Sequence, residues 1–426
     1  MDLGKKKLDY FTNILGYLII LLPIFLISGP LLPDLAVSIV AIFSLFIIRD
    51  KKFFYNYFFI IFIIFWCLIL ISSFLAEDKI LSFKNSIFYF RFLLYSLFVW
   101  WFLENNNKAL KKIFIVLLFC FLAIIFDSLF QYLNGSNILN MELVVQNRVS
   151  SFFGDELKMG GFLMRLFPVL LALTFFFYKK KYEKFIGLST LLIFLILLTV
   201  FLSGERTSFF LFNFTIILFL LFLNDFKKVR FFIFVSFVCA IFILFITETP
   251  FKKRIVDLSL NQIQIKETGS PKYIFSQQYN EHYLSAWKMF KDNILIGVGP
   301  KNFKVKCKDE KYNFSKLTCS THPHNFPLQL LAETGLFSFL IYLIVNIVIW
   351  YNLFKNLLSK IFYKKKIFNN FQISLLISIA ILIWPLSPNG SIFNNWLSII
   401  LYYPVGILLW EFRNSKKMII KPNKKI

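Results

Sequence analysis

Residues 113–133 are IFIVLLFCFLAIIFDSLFQYL, an apolar run in which Asp127 is the only charged residue. Two lysines, Lys111 and Lys112, stand directly before it. A helix of about 20 apolar residues crosses the roughly 30 Å hydrocarbon layer of a membrane, so this run predicts a transmembrane helix. Runs of similar length recur along almost all of the 426 residues.

The composition of the whole chain agrees with a membrane protein. Hydrophobic residues make up 58% of the chain and charged residues only 16%, whereas soluble domains carry about 25% charged residues. A soluble globular protein is therefore excluded. The net charge of +24 does not indicate nucleic-acid binding, because the lysine clusters stand at the ends of apolar runs and form no single basic stripe.

The apolar runs predict twelve spans, at 11–29, 31–48, 53–75, 86–103, 113–133, 160–178, 185–203, 207–223, 231–247, 327–354, 370–387 and 393–412. With the N-terminus in the cytoplasm, Lys and Arg concentrate in the cytoplasmic loops, so both termini are predicted to be cytoplasmic. The predicted fold is an all-α polytopic membrane protein with about twelve transmembrane helices. Its parts are 1–246 with spans one to nine, a periplasmic loop at 247–326, 327–412 with the last three spans, and a basic tail at 413–426.

The long loop at 247–326 is predicted to fold as a cap on the outer surface. Tyr279, Tyr283, Trp287 and Phe290 recur in it at helical spacing, which is typical of an amphipathic helix lying on a membrane. A flexible tether is the alternative, and the aromatic periodicity disfavours it.

Two of the five cysteines, Cys307 and Cys319, fall in this external loop, twelve positions apart. An oxidising compartment permits a disulfide between them, which would pin the segment before span ten. Two free thiols are the alternative.

Charged residues at the ends of apolar runs are candidates for function, since burying a charge in a membrane is costly. Arg206 stands where the chain re-enters the membrane from outside, and its guanidinium can bind a phosphate at headgroup depth. A snorkelling anchor is the alternative, but an outer arginine opposes the usual charge bias. Arg254 lies just after span nine on the same side, and two cations at one interface suit a diphosphate.

Three further arginines are candidates for binding or for structure. Arg148 lies in the external loop before span six, and we assign it to substrate binding. Arg91 and Arg165 lie deeper, where each can instead pair with a buried carboxylate such as Asp127.

Two of the three histidines, His322 and His324, stand where the long loop leads into span ten. Histidine suits general-base chemistry near neutral pH. A metal pair is one alternative, although no cluster with structural-site spacing accompanies it. Helix capping by Thr321 or Asn325 is the other. Glu333 follows inside span ten, where it can orient or compensate a histidine or an arginine.

The stretch GVGP at 297–300 has the glycine content of a phosphate loop. No strand precedes it, and Pro300 has no N–H for an anion. A tight turn is therefore predicted there.

Three motifs together are similar to those of the O-antigen ligase and polymerase superfamily. They are SGERT at 203–207, GVGPKNF at 297–303 and HPHNFPLQLLAETGL at 322–336. Twelve spans with a large external loop between the ninth and tenth also resemble that superfamily.

The resemblance implies a metal-independent membrane glycosyltransferase of the GT-C type, without a cofactor, at the periplasmic face of the bacterial inner membrane. Its donor would be a glycan on undecaprenyl diphosphate. Its acceptor would be lipid A-core lipopolysaccharide for a ligase, which we favour, or another lipid-linked repeat for a polymerase. Membrane lipids would be its other partners. By the same resemblance Arg206 and Arg254 hold the diphosphate, His324 takes the proton from the acceptor hydroxyl, and His322 and Glu333 support it.

Two other classes of protein compete with this interpretation. A polysaccharide or lipid transporter would show paired half-repeats with broken helices near the midplane, whereas the unusual polar residues here concentrate at the outer surface. The second competing class is a superfamily member that has lost catalysis. The presence of both Arg206 and His324 disfavours it.

Overall fold

A computed structural model describes residues 2–143, 148–178, 182–224 and 275–420, with short pieces between 230 and 257. Over these ranges the chain is helical and has no β-strand, apart from one isolated antiparallel bridge between Ser136 and Glu142. The predicted all-α class is confirmed.

The main α-helices of these ranges are α1 (Asp2–Ile20), α2 (Leu22–Ile27), α3 (Leu31–Ile47), α4 (Tyr57–Phe74), α5 (Lys79–Ile87), α6 (Arg91–Asn105), α7 (Ala109–Asn134), α8 (Met159–Phe177), α9 (Tyr182–Leu202), α10 (Arg206–Phe222), α11 (Gln277–Asp292), α12 (Phe303–Lys306), α13 (Phe326–Tyr363), α14 (Asn370–Leu382) and α15 (Asn395–Ile420). Each predicted span other than 231–247 falls on one or two of these helices.

Several of the helices have the length and composition of membrane spans. Within the described residues, five segments are long and apolar enough to cross a membrane: Tyr57–Phe74, Lys79–Asn105, Ala109–Asn134, Met159–Phe177 and Phe326–Tyr363. These helices indicate a multi-pass membrane protein. The number of twelve spans, the side of the long loop and the boundaries of the four parts stay predictions. Most of 231–247, as well as 258–274 and 421–426, lies outside the described residues.

Helices α6 and α8 form the centre of the bundle. Helix α6 packs against α3 and α15, and α8 packs against α14. Stacked rings join α6 to α15, with centroids 5.8 Å apart for Phe92 and Tyr402 and 6.5 Å apart for Tyr95 and Tyr403. Because α8 and α14 are neighbours, the loop that follows α14 lies next to the start of α8.

Helix α13 is broken at Gly335, whose φ of 75° and ψ of −174° are not helical. The GVGP stretch docks on this break, since Val298 and Gly299 donate their N–H groups to the carbonyls of Ala332 and Glu333 over 2.9 and 2.8 Å. The predicted turn is therefore present, and it satisfies carbonyl groups that the broken helix leaves without partners.

Gly335→Ala is expected to destabilise the protein by about 3 kcal/mol or more. The backbone conformation of Gly335 is open almost only to glycine and costs other residues about 1–3 kcal/mol. An added Cβ would also lie 2.2 Å from the carbonyl oxygen of Leu295. Thermal unfolding of the protein in detergent measures the effect.

Gly135→Ala is the matched control, since Gly135 has a φ of 81° but nothing within 4 Å of an added Cβ. The control substitution should lower the free energy of unfolding much less. Equal unfolding temperatures for the two variants would contradict a tight contact between Gly335 and the carbonyl of Leu295.

Candidate functional site

Three arginines gather where α9 ends and α10 begins. Gly204 reverses the chain there with a φ of 63°. Arg148 donates from Nε to the carbonyl of Ser203 over 3.1 Å, and Arg254 donates from Nε to the carbonyl of Gly204 over 3.0 Å. Their side chains flank Gly204, because an added Cβ there would lie 3.1 Å from Arg148 Cγ and 3.2 Å from Arg254 Cδ.

The charges of these arginines interact. Burial lowers the pKa of the Arg148 guanidinium, and the charge of Arg254 lowers this pKa further, while Glu205 opposes both. Arg206, the first residue of α10, interacts electrostatically with Arg254 and with Tyr279. The fold therefore brings Arg148, Arg206 and Arg254 into one cluster, here called the arginine cluster, whose concentrated positive charge suits an anion.

Glu205 fastens this cluster to α8. Its carboxylate accepts the N–H groups of Gly160 and Gly161 over 2.8 and 3.0 Å and the hydroxyl of Ser208 over 2.7 Å. A carboxylate at a helix N-terminus is stabilised by the unpaired N–H groups and by the helix dipole. Glu205 thus holds the start of α10 against the start of α8.

The three histidines of the chain also come together, in what is here called the histidine cluster. The ring centroids of His322 and His324 are 4.0 Å apart, and those of His282 and His324 are 5.4 Å apart. His282 on α11 is fully buried and His322 is buried, whereas His324 is partly exposed. Only His324 of the three is therefore open to a ligand.

Hydrogen bonds orient the His322 ring. Its Nε2 lies 3.3 Å from the main-chain carbonyl oxygen of Asn389, and its Nδ1 lies 2.9 Å from the hydroxyl of Thr321. Because a carbonyl oxygen only accepts, we assign the proton to Nε2, and Nδ1 then accepts from Thr321.

Burial keeps His322 and His324 neutral. It lowers the pKa of His322 to about 3, with a further lowering from His324, and it lowers the pKa of His324 to about 4, with a further lowering from His282. Both rings are therefore unprotonated near pH 7 and can accept a proton. Lys301, which sequence reasoning missed, also lowers the pKa of His322.

The arginine and histidine clusters adjoin at Tyr279. The Tyr279 ring centroid lies 5.3 Å from that of His324, and the same tyrosine interacts electrostatically with Arg206. Tyr279 therefore places the histidine cluster within electrostatic reach of the arginine cluster.

Glu333 is fully buried, and its carboxylate accepts a hydrogen bond from the backbone of α12. Its Oε1 accepts the N–H of Phe303 over 3.1 Å, at the start of α12, and its Oε2 accepts from Gln329 over 2.8 Å. These contacts favour an anchoring role, and contact of Glu333 with a substrate stays a prediction.

Arg91 pairs with a carboxylate, as predicted, but neither Arg91 nor Arg165 pairs with Asp127. Arg91 pairs with Asp34, with Nη2 and Oδ1 2.5 Å apart. Arg165 donates to Asn389. Asp127 instead accepts the hydroxyl of Ser151 over 2.5 Å, which fixes the loop after Arg148.

Residues 275–326 fold as a cap with a small apolar core formed by Ala286, Met289, Val298, Phe303, Cys307, Tyr312 and Ala332. Cys307 and Cys319 are joined by a disulfide, with their Cα atoms 5.3 Å apart. This bond ties the segment before His322 to the core of the cap.

Helix α11 is present in the cap, but its aromatic residues do not share one lipid-facing stripe. Tyr279 packs beside His324, whereas Trp287 is 42% exposed together with Leu284 at 47%. The buried face of the helix carries His282 and smaller residues, because it packs against α13.

Over the residues that the structure describes, no group of three His, Cys, Asp or Glu side chains is arranged to hold a metal ion. The residues that sequence reasoning missed are His282, Lys301 and Asn389. The low number of histidines was the one available signal, since three of three meet at one site.

Residues 191–343 match the family model described as O-antigen ligase. The match supports the predicted O-antigen ligase superfamily. It includes Arg206, Arg254 and the histidine cluster, whereas Arg148 and Asn389 lie outside it. Comparison with curated proteins found no match.

Proposed function

We propose, with the O-antigen ligase match as the premise, that this protein transfers a glycan from undecaprenyl diphosphate to lipid A-core lipopolysaccharide at the periplasmic face of the inner membrane. The observation that carries the proposal is that a cluster of three arginines adjoins a partly exposed, neutral histidine, since Tyr279 packs beside His324 and interacts electrostatically with Arg206. A transfer from a diphosphate needs both kinds of group in one place.

The arginine cluster would bind the diphosphate of the donor. A guanidinium presents a planar fork of N–H donors that matches phosphate oxygens, and it stays charged at any physiological pH. As the sugar leaves, negative charge grows on the diphosphate. Fixed positive groups aimed at that charge stabilise the transition state more than the ground state.

His324 would be the general base. It accepts the proton of the acceptor hydroxyl while the hydroxyl oxygen bonds to the anomeric carbon and the bond from that carbon to the diphosphate oxygen breaks. A direct displacement of this kind inverts the anomeric configuration. His322, which is fixed by Thr321 and Asn389, would hold the neighbouring ring in place.

The pH dependence of transfer should reflect the buried position of His324. The base must be unprotonated, and its pKa is lowered from 6.5 to about 4. We therefore expect kcat/KM, which reports the free enzyme, to stay level from pH 7.5 down past 6.5 and to fall only near pH 4. A loss of activity centred at pH 6.5 or above would contradict a buried base.

The stability of the fold should change with pH in the same direction. At His322 and His324 the unfolded chain binds more protons than the folded one between pH 6.5 and about 4, so the contribution of these two histidines to the free energy of unfolding falls as the pH falls through this window. Activity must therefore be measured on protein that is still folded.

Deletion of the gene in the native host tests the proposal as a whole, with a lipopolysaccharide gel and an assay of lipid-linked glycan as readouts. A ligase predicts bare core, with polymer accumulating on the carrier lipid, and restoration by the wild-type gene. Core with a single repeat would instead indicate a polymerase. An unchanged ladder would count against both and favour transport or another glycan pathway.

A further inference from the structure

Asn389 lies in the loop between α14 and α15, with 7% of its surface exposed. Its main chain holds the histidine segment through two hydrogen bonds. The N–H of Asn389 donates to the carbonyl of His324 over 2.7 Å, and its carbonyl accepts from His322 Nε2 over 3.3 Å. His324 needs such support, because its φ of 58° is unfavourable for a residue other than glycine.

The side chain of Asn389 contacts a different partner, Arg165 on α8. Its Oδ1 accepts from Arg165 Nη2 over 3.0 Å. Arg165 also donates from Nη1 to the carbonyl of Gly161 over 3.0 Å, and the N–H of Gly161 donates to Glu205 over 3.0 Å. Glu205 directly precedes Arg206.

A continuous set of hydrogen bonds therefore joins the two clusters. It runs from His324 through Asn389 and Arg165 to Glu205, and it crosses three segments that are far apart in sequence. The bonds pass through main-chain groups of Asn389 and Gly161, end at the carboxylate of Glu205, and include one pair of side chains, Asn389 and Arg165, in the middle. That pair is the part of the path that substitution can remove without disturbing the main-chain grip on His324.

We infer that Asn389 is a positioning residue, whose side chain sets the separation between His324 and Arg206 by holding Arg165. The inference rests on the proposed function. A general base and a phosphate-binding group act on two ends of one reaction, and a displacement of about 1 Å between them can lower the rate by roughly 100-fold. The side chain of Asn389 touches no reacting atom, so its effect is on geometry.

The test compares Asn389→Leu, which has a similar size but no acceptor, with Asn389→Asp, which keeps an oxygen facing Arg165. Transfer is measured in membrane vesicles with the lipid-linked glycan and the core acceptor of the host. Asn389→Leu is expected to lower kcat at least tenfold with KM little changed, because binding groups remain while alignment is lost. Asn389→Asp should recover most of the rate.

Asn356→Leu is the matched control. Asn356 is fully buried and joins helices much as Asn389 does, accepting the N–H groups of Ile367 and Phe368 over 3.0 Å, towards the other end of α13. The Asn356→Leu substitution should reduce the amount of folded protein without changing kcat per folded molecule. A further check is the double variant Asn389→Leu with Arg165→Met. Its loss of kcat should be no larger than the loss in the worse of the two single variants.

Three results would overturn the inference while leaving the proposed function intact: wild-type kcat in Asn389→Leu, equal losses of kcat in Asn389→Leu and Asn356→Leu, or no recovery in Asn389→Asp. A wild-type protein that transfers no glycan at all would overturn the proposed function, and the inference with it.

Discussion

His324→Ala is expected to abolish glycan transfer, with a loss of roughly 10²–10⁴-fold, the usual contribution of a general base. His324 is the partly exposed member of the histidine cluster, and its lowered pKa leaves it neutral at pH 7. Without it the acceptor hydroxyl must attack with its proton still attached. The initial rate of transfer in membrane vesicles, per folded protein, measures the loss.

The backbone at His324 calls for a second variant, since alanine fits its φ of 58° poorly. His324→Asn keeps a residue that tolerates the left-handed conformation but has no base. It should be as inactive as the alanine variant.

Lys364→Ala is the control for strain, because Lys364 has a φ of 51° at the end of α13, away from the histidines. It should leave the rate of transfer unchanged. Normal transfer by His324→Asn would exclude His324 as the base, and the site would then need another proton acceptor.

Arg206→Lys should lower transfer by roughly 100-fold, which is the usual cost of removing one donor that stabilises developing charge. The substitution keeps the positive charge but replaces the planar fork with a single ammonium group, which cannot bind two phosphate oxygens side by side. KM for the lipid-linked donor and kcat are measured together, because a group that acts mainly on the leaving diphosphate lowers kcat.

Arg91→Lys is the matched control for this substitution. Arg91 is a partly buried arginine that pairs with Asp34, and it belongs to neither cluster. Its replacement should change protein stability at most. Full activity in Arg206→Lys would instead favour a lipid-headgroup anchor at the end of α10, where charge alone is sufficient.

The arginine cluster also clarifies the place of Arg148. The sequence predicts substrate binding for Arg148 in an external loop but gives it no partners, whereas the structure sets Arg148 against the carbonyl of Ser203, across Gly204 from Arg254. Arg148 and Arg254 flank Gly204, and together with Arg206 they offer a diphosphate more donors than the predicted pair of arginines alone.

The positions of the helices could be predicted well from the sequence. A segment in hydrocarbon must satisfy its backbone hydrogen bonds internally, so the length and apolar character of each run, such as 113–133 within α7, indicate a helix without reference to the rest of the chain. The candidates Arg206, Arg254 and His324 were visible for a similar local reason, since each is a costly or rare residue at the end of an apolar run.

The partners of these residues were not visible. Asp127 could be taken as the counter-ion of Arg165, yet the structure pairs it with Ser151 and gives Arg165 to Asn389. His282 lies on a helix whose aromatic spacing indicated a lipid-facing stripe, but packing against α13 turns His282 inward.

Local sequence fixes where a helix begins, ends or breaks, because neighbouring residues share one set of backbone hydrogen bonds. The meeting of His324 with Asn389, or of Arg148 with Arg254, depends on which faces of distant helices pack together. That choice leaves few buried polar groups without hydrogen-bond partners over the whole bundle, so no single stretch of the chain contains it.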